Sequence, residues 1–281
     1  MSFLDRIAAC NNAEFAPYRP FLIGSAQAGW VHRDFAPILR QHADCFVVAA
    51  EAVSLAPALD TPERRTAAVE RALRSLADRG IVKGWRGERY PVHPIAGGPM
   101  LMAMERAAVP HFGVRAFGVH MTGFVRRADG LHIWVARRAH DKPTYPGMLD
   151  NTVAGGQPIG LSLMENLIKE CWEEAGIPRA LAEQAQPVGI VSYVFEEDDT
   201  LKPDVQYCYD LELSRDFIPR NTDGEIGEFM LWPAARVAQV VRDTSEFKFN
   251  CNLVIIDFLV RHGEIPPDHP DYLALCRGLR R

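Results

Sequence analysis

Residues 155–177 constrain this chain more than any other stretch. They read Gly155-Gly156-Gln157-Pro158-Ile159-Gly160-Leu161-Ser162, then Leu163 to Ile168, then Lys169-Glu170-Cys171-Trp172-Glu173-Glu174-Ala175-Gly176-Ile177. On a helix, Glu170, Glu173 and Glu174 fall within an arc of roughly 100°. Leu167, Cys171, Met164, Ala175 and Ile168 form an apolar stripe beside them. The pattern predicts a helix from about Ser162 to Ala175, with one edge on a sheet and three carboxylates projecting from the next. Ser162 can cap its start and Gly176 can end it. Like charges so close repel by a few tenths of a kcal/mol per exposed pair, roughly, and a divalent cation is the natural compensation. Carboxylate and carbonyl oxygens suit Mg²⁺ or Mn²⁺, not zinc. A Gly155-Gly156 loop lets backbone atoms approach such an ion or a phosphate.

The rest of the chain mixes strands and helices. Pro20–Ile23 and Cys45–Val48 read as strands. Thr61 caps a helix with Pro62 in its first turn and Val69, Leu73 and Leu76 on one face, ended by Gly80. A further helix is expected from Met100 to Ala108. From His111 the texture turns β-rich. Val114–Arg126 and Leu131–Arg138 flank the hairpin signal Ala128-Asp129-Gly130. A strand is expected near Val153, with long strands near Pro187–Phe195 and Val205–Leu213. A short strand at Phe229–Leu231 precedes helices near Pro233–Arg242 and Phe247–Arg261. The expected fold class is α/β, with an N-terminal accessory region, residues 1–110, and a larger α/β domain, residues 111–281.

With 31 basic and 36 acidic residues among 281, the formal charge of −5 gives no general attraction to nucleic acid or anionic membrane. The apolar run Leu253–Val260 is too short to span a bilayer. The first residues do not read as a secretory signal. Six cysteines, none in a CxxC pair, fit a reducing compartment, so a cytoplasmic protein without disulfides is expected. A homodimer stays open.

The acidic segment resembles the Nudix signature: Gly, five residues, Glu, seven residues, then Arg-Glu-aliphatic-any-Glu-Glu-any-Gly-aliphatic. Gly155, Glu170, Glu173, Glu174, Gly176 and Ile177 match it; Cys171 stands at an aliphatic position, Leu161 replaces the first Glu and Lys169 the Arg. The resemblance implies a Nudix α/β/α sandwich with a mixed sheet. It also implies Mg²⁺ (or Mn²⁺) held by Glu170, Glu173, Glu174 and the Gly155 backbone. A fourth carboxylate is often supplied before a late aromatic-containing strand, which points to Glu228 as added ligand or general base, with Glu225 as its competitor.

Further stretches resemble a Nudix subfamily with an extra N-terminal region, related to a segment fused to some eukaryotic thiamine pyrophosphokinases. These are Pro20–Gly24, Gly84–Tyr90, Gly118–His120, Lys142–Asn151, Lys202–Tyr207 and Phe247–Asn250. The implied reaction is hydrolysis of thiamine diphosphate, or its oxidised or damaged analogues, to the monophosphate and phosphate. The catalytic set is then Glu174, Glu228 and Glu173. Lys142, Arg138 and Lys248 are the candidate phosphate-binding residues, with Arg137 beside them. Alternatives are hydrolysis of nucleotide-linked diphosphates such as ADP-ribose or dinucleotides, diphosphate isomerisation of an isoprenoid, and a catalytically weak ligand-binding module. Trp85, Tyr90, Tyr145, Trp134 and Tyr207 are available to stack on an aromatic substrate, though aromatics usually serve a core. Trp172 is expected to pack, and His120 and His140 to be structural.

Overall fold

The computed structural model describes residues 2–142 and 144–281; Pro143, within the Lys142–Asn151 stretch, lies outside them. The first element, α1 (Phe3–Ala9), starts with a reciprocal cap between Ser2 and Asp5. β1 (Tyr18–Ile23), β2 (Ala26–His32), β3 (Phe46–Val48) and β4 (Val53–Leu55) form a sheet in the order β2-β1-β4-β3, with α2 (Ala36–Leu39) between β2 and β3. Then comes α3 (Pro62–Asp78), whose N-terminus is capped by the Thr61 side chain. Val69, Leu73 and Leu76 are fully buried on its inner face, as the spacing predicts.

The expected helix over Met100–Ala108 is not one. β5 (Arg89–Val92) pairs antiparallel with β6 (Met102–Glu105), and a 3₁₀ helix, Arg106–Phe112, follows. Met102 and Met104 are buried opposite Val92 and Tyr90. A short apolar run suits strand and helix alike, and here pairing with β5 decides it.

The second sheet is mixed. β7 (Phe117–Arg127) and β8 (Gly130–Arg138) form the hairpin, β9 (Leu149–Asp150) pairs with β8, and β10 (Val153–Gly156) with β7. After α4 (Leu163–Ala175) and α5 (Arg179–Ala182) come β11 (Gln186–Ser192), the small hairpin β12 (Phe195–Glu197) and β13 (Thr200–Lys202), β14 (Val205–Glu212) and β15 (Ile226–Pro233). The order is β11-β14-β7-β8-β15, with β14 parallel to β7 and the other pairs antiparallel. The chain ends in α6 (Ala234–Asp243), α7 (Cys251–Arg261) and α8 (Tyr272–Gly278). α7 starts later than expected, because Phe247 bridges to Leu149 before the helix begins.

Alternating side chains make both faces of this sheet apolar. Phe124, Ile133, Val135 and Cys208 pack with α1, α6, α7 and α8; Val125, Trp134 and Tyr209 pack with Leu167, Ile168, Cys171 and Ala175 of α4. The result is an α/β/α sandwich, with α4 on one face and the terminal helices on the other. α1 belongs to the second layer: Phe3, Ile7 and Cys10 are buried in the core of the C-terminal helices, far along the chain from them. No described helix is long and apolar enough to cross a membrane, and all six cysteines are free.

Candidate active site

α4 is defined locally at both ends. Ser162 Oγ accepts from the Glu165 amide at 3.2 Å, and the Glu165 carboxylate accepts from the Ser162 amide at 2.8 Å. Gly176, at φ +62°, ends the helix in the left-handed region that glycine favours. The two glycines expected in a loop are instead the last residues of β10, with Gly155 opposite Val119 and Gly156 opposite Gly118. The loop proper follows them and leads to Ser162. A Cβ on Gly155 would lie 2.6 Å from Glu170 Oε1, so only glycine lets strand and carboxylate meet there. Asn166, one turn before Glu170, donates to the Gly156 carbonyl at 2.9 Å. Its Oδ1 is a buried acceptor without a donor among the described residues.

The three glutamates do not project together. Glu174 is buried and accepts from the Ala154 amide at 2.8 Å. Burial pushes its carboxyl well above the usual range, and nearby Glu170, Asp150 and Glu225 push it further, against the Ala154 hydrogen bond. Glu170 is also raised, first by burial, with Lys169 opposing. Lys169 Nζ donates to Glu173 at 2.6 Å and to Glu170 at 3.2 Å. The repulsion that called for an ion is therefore compensated, for this pair, by Lys169 itself. Among the described residues, no three His, Cys, Asp or Glu side chains converge to hold a metal. Glu173 is drawn to Lys169 and one Glu174 oxygen is taken by Ala154. The donor set still suits a hard divalent cation: Glu170 and Glu174 are oxygen donors under excess negative charge, and Gly155 brings backbone against one of them.

The two candidates for a fourth carboxylate, Glu228 and Glu225, are held differently. Glu228 accepts from Arg137 Nε at 2.8 Å and is half exposed on β15. Glu225 instead adds to the charge felt by Glu170 and Glu174. Burial pushes Glu225 up, but its ion pair with Lys142, helped by Arg138 and Arg86, holds it below its ordinary value.

Of the three candidate phosphate-binding cations, two are engaged. Arg138 is buried and donates to Asp150 at 2.9 Å, to the Tyr145 carbonyl at 3.1 Å and to the Thr144 carbonyl at 2.9 Å. It braces the loop before β9. Lys142 pairs with Glu225. Lys248 has no ion pair among the described residues; it is half-buried, and its charge acts on both Asp150 and Asp204. His120 is buried against Asn151 at 2.7 Å, and burial pushes it down to about 4. Trp172, expected to pack, is 56% exposed.

Sequence reasoning did not find Arg106 beside the site. A Cβ on Gly156 would overlap the Tyr90 hydroxyl and lie 3.6 Å from Arg106 Cζ. Arg106 lies 5.4 Å from the Tyr90 ring centroid and donates to Glu88 at 2.8 Å. Nothing in the local pattern around Arg106 signals this; the contact exists only once the N-terminal region is folded onto β10. A cavity of about 330 Å³ lies nearby, lined by Glu70, Arg74, Trp85, Arg89, Glu105 and Ile159 among others.

The sandwich, with an acidic helix set against glycine backbone, defines a class of diphosphate-cleaving enzymes, and comparison with known proteins places the chain within it. Nudix hydrolase 24, chloroplastic, from Arabidopsis thaliana is 46% identical over 282 residues, covering 99% of this chain and 77% of that protein. Nudix hydrolase 20, chloroplastic, from the same plant is 45% identical over 289 residues, with the same shares covered. The chain belongs to the Nudix hydrolase family and is an enzyme of that class. An uncharacterized Saccharomyces cerevisiae protein, YJR142W, is 38% identical over 71% of this chain and 62% of its own length. Residues 2–116 match a family described as a domain of unknown function, DUF4743. Among solved structures, DR0079 from Deinococcus radiodurans aligns with TM-score 0.43 and 21% identity, over 59% of this chain and 97% of its own. The cytoplasmic expectation is corrected by the two plant relatives, both of which are named chloroplastic.

Proposed function

We propose that this Nudix hydrolase cleaves the diphosphate of thiamine diphosphate, or of its oxidised or damaged analogues, to the monophosphate and phosphate, with Mg²⁺ or Mn²⁺ as cofactor. The observation that carries the diphosphate chemistry is the placement of the Glu170 and Glu174 carboxylates against the glycine end of β10, Glu170 at Gly155 and Glu174 at the Ala154 amide. A cation bound there supplies neutralisation of the diphosphate and acidifies water. In this reading Gly155, Glu170, Glu173 and Glu174 hold it, with Glu173 leaving Lys169 to do so. Glu225 is favoured over Glu228 to orient the attacking water and take its proton, because Glu225 is the one whose charge reaches the other acids. Lys142, once released from Glu225, and Lys248 bind the phosphates; Arg138 stays with Asp150.

The thiamine choice is supported by the resemblance of segments spread along the chain. Two of them, Lys142–Asn151 and Phe247–Asn250, supply Tyr145 and Phe249, whose rings lie 5.6 Å apart, with Phe195 stacked on Phe249 at 4.2 Å. Lys248 Nζ lies 6.0 Å from the Tyr145 ring centroid. The division into an accessory region, residues 1–110, and a hydrolase domain, residues 111–281, belongs to the same proposal, except that α1 packs in the second. A phosphate-release screen decides the substrate, using thiamine diphosphate, its oxidised analogue and ADP-ribose, each with and without Mg²⁺. Release from the thiamine compounds only with Mg²⁺ is expected; equal or faster turnover of ADP-ribose would overturn the substrate choice.

A further inference from the structure

The N-terminal region reaches the strand that leads to the acidic helix at the end of β10. There Tyr90, from β5, rests its hydroxyl where a side chain on residue 156 would be. Arg106, in the 3₁₀ helix after β6, lies against Tyr90 with its Cζ 3.6 Å from that same point. One guanidinium nitrogen is fixed by Glu88 at 2.8 Å, and the Arg106 amide donates to the Glu88 carbonyl at 2.8 Å, so the residue is held at both ends. Its other two guanidinium nitrogens have no hydrogen-bond partner among the described residues, and the side chain is 41% exposed. This differs from Arg138, whose three nitrogens are all engaged.

We propose that Arg106 is a phosphate-binding residue of the diphosphate site, contributed by the N-terminal region and aligned by Glu88 and Tyr90. The inference rests on the diphosphate reading above and adds a residue that reading does not contain. Its physical basis is direct. Arginine presents five N–H donors in a planar fork suited to phosphate oxygens. A substrate bearing two phosphates must approach the charge of Glu170, Glu174 and Glu225, and a nearby oriented cation offsets that repulsion. Glu170 lies at the position of a Gly155 side chain and Arg106 near that of a Gly156 side chain, so both groups flank the glycine end of β10. Gly156 serves the arrangement by leaving room for the tyrosine that backs the guanidinium.

The test uses the full chain and methylene diphosphonate, which is not hydrolysed, as probe with Ca²⁺ present. Arg106→Ala is expected to weaken probe binding about tenfold or more, the scale of one or two lost charge-assisted hydrogen bonds. KM for phosphate release should rise by a similar factor while Mn²⁺ binding without probe stays unchanged. Arg106→Lys should recover part of the loss. If Arg106→Ala fails to fold, Arg106→Gln replaces it in the same assay. Probe affinity within twofold of wild type in the folded variant overturns the inference alone. A wild-type protein that neither binds the probe nor releases phosphate overturns the diphosphate reading and this inference with it.

Discussion

The acidic helix and the segment from Arg89 to Phe112 face each other across Gly156, but they are held in different ways. α4 carries a reciprocal cap at its start, a left-handed glycine at its end and a buried stripe between. The β5–β6 ribbon pairs only with itself, and its Arg106 is aligned by Glu88 and Tyr90. The acids therefore sit on a scaffold whose shape is set within a few turns, whereas the opposing cation depends on packing between distant segments. Substitutions of helix carboxylates should alter chemistry and spare the fold. Substitutions at the contact with the N-terminal region should disturb both.

The largest effect expected is that of Glu174→Gln. The amide oxygen can still accept from Ala154, so melting should change little, while phosphate release falls on the order of 10³-fold, the scale of removing one preorganised electrostatic group. Full activity with an unchanged Mg²⁺ requirement would remove Glu174 from the site. Next comes the contest between two carboxylates. Glu225→Gln should lower kcat about 10²-fold, as loss of a general base does, and Glu228→Gln should stay within about twofold. The reverse order would restore Glu228.

Gly156→Ala sharpens the comparison from the other side. The new methyl meets the Tyr90 hydroxyl, and a urea titration should show about 1–3 kcal/mol of lost stability. Tyr90→Phe in the same chain should return part of it. An unchanged midpoint would mean that the two regions are not in close contact there. The smallest effect belongs to Lys169→Ala. Glu173 is 40% exposed, so solvent screening limits the stability loss without metal to a few tenths of a kcal/mol, roughly. Mn²⁺ affinity, read by titration, should rise several-fold, because Lys169 and the ion compete for the same carboxylates. A fall in affinity would show that Lys169 helps to hold the site together.

These experiments probe features of unequal visibility in the sequence. Helix α4, its caps and its acidic arc could be read because each rests on neighbours three or four residues apart. The hairpin at Ala128-Asp129-Gly130 was visible for the same reason. Whether Met102–Glu105 is strand or helix could not be read, since the pairing with Arg89–Val92 that decides it lies outside any local window. The ion pairs that set Glu225 and Glu228 apart were hidden likewise, since Lys142 and Arg137 lie far along the chain from them. Lys169 was read only as a replacement for the signature's Arg, although its pairing with Glu173 four residues on is the kind of neighbour contact a helix pattern offers.

The placement of α1 bears on any attempt to take the molecule apart. Phe3 and Ile7 lie among α6, α7 and α8, and Arg6 reaches the Val241 and Arg242 carbonyls at the end of α6. The polypeptide thus leaves the layer of the terminal helices after its opening turns, builds the first sheet, and returns. A fragment starting near residue 111 would uncover a greasy groove on the terminal helices and forfeit about 1.5–3 kcal/mol for each of the two large side chains. Supplying residues 2–12 as a separate peptide should then refill the groove, which makes this helix a natural handle for reassembling the hydrolase from pieces.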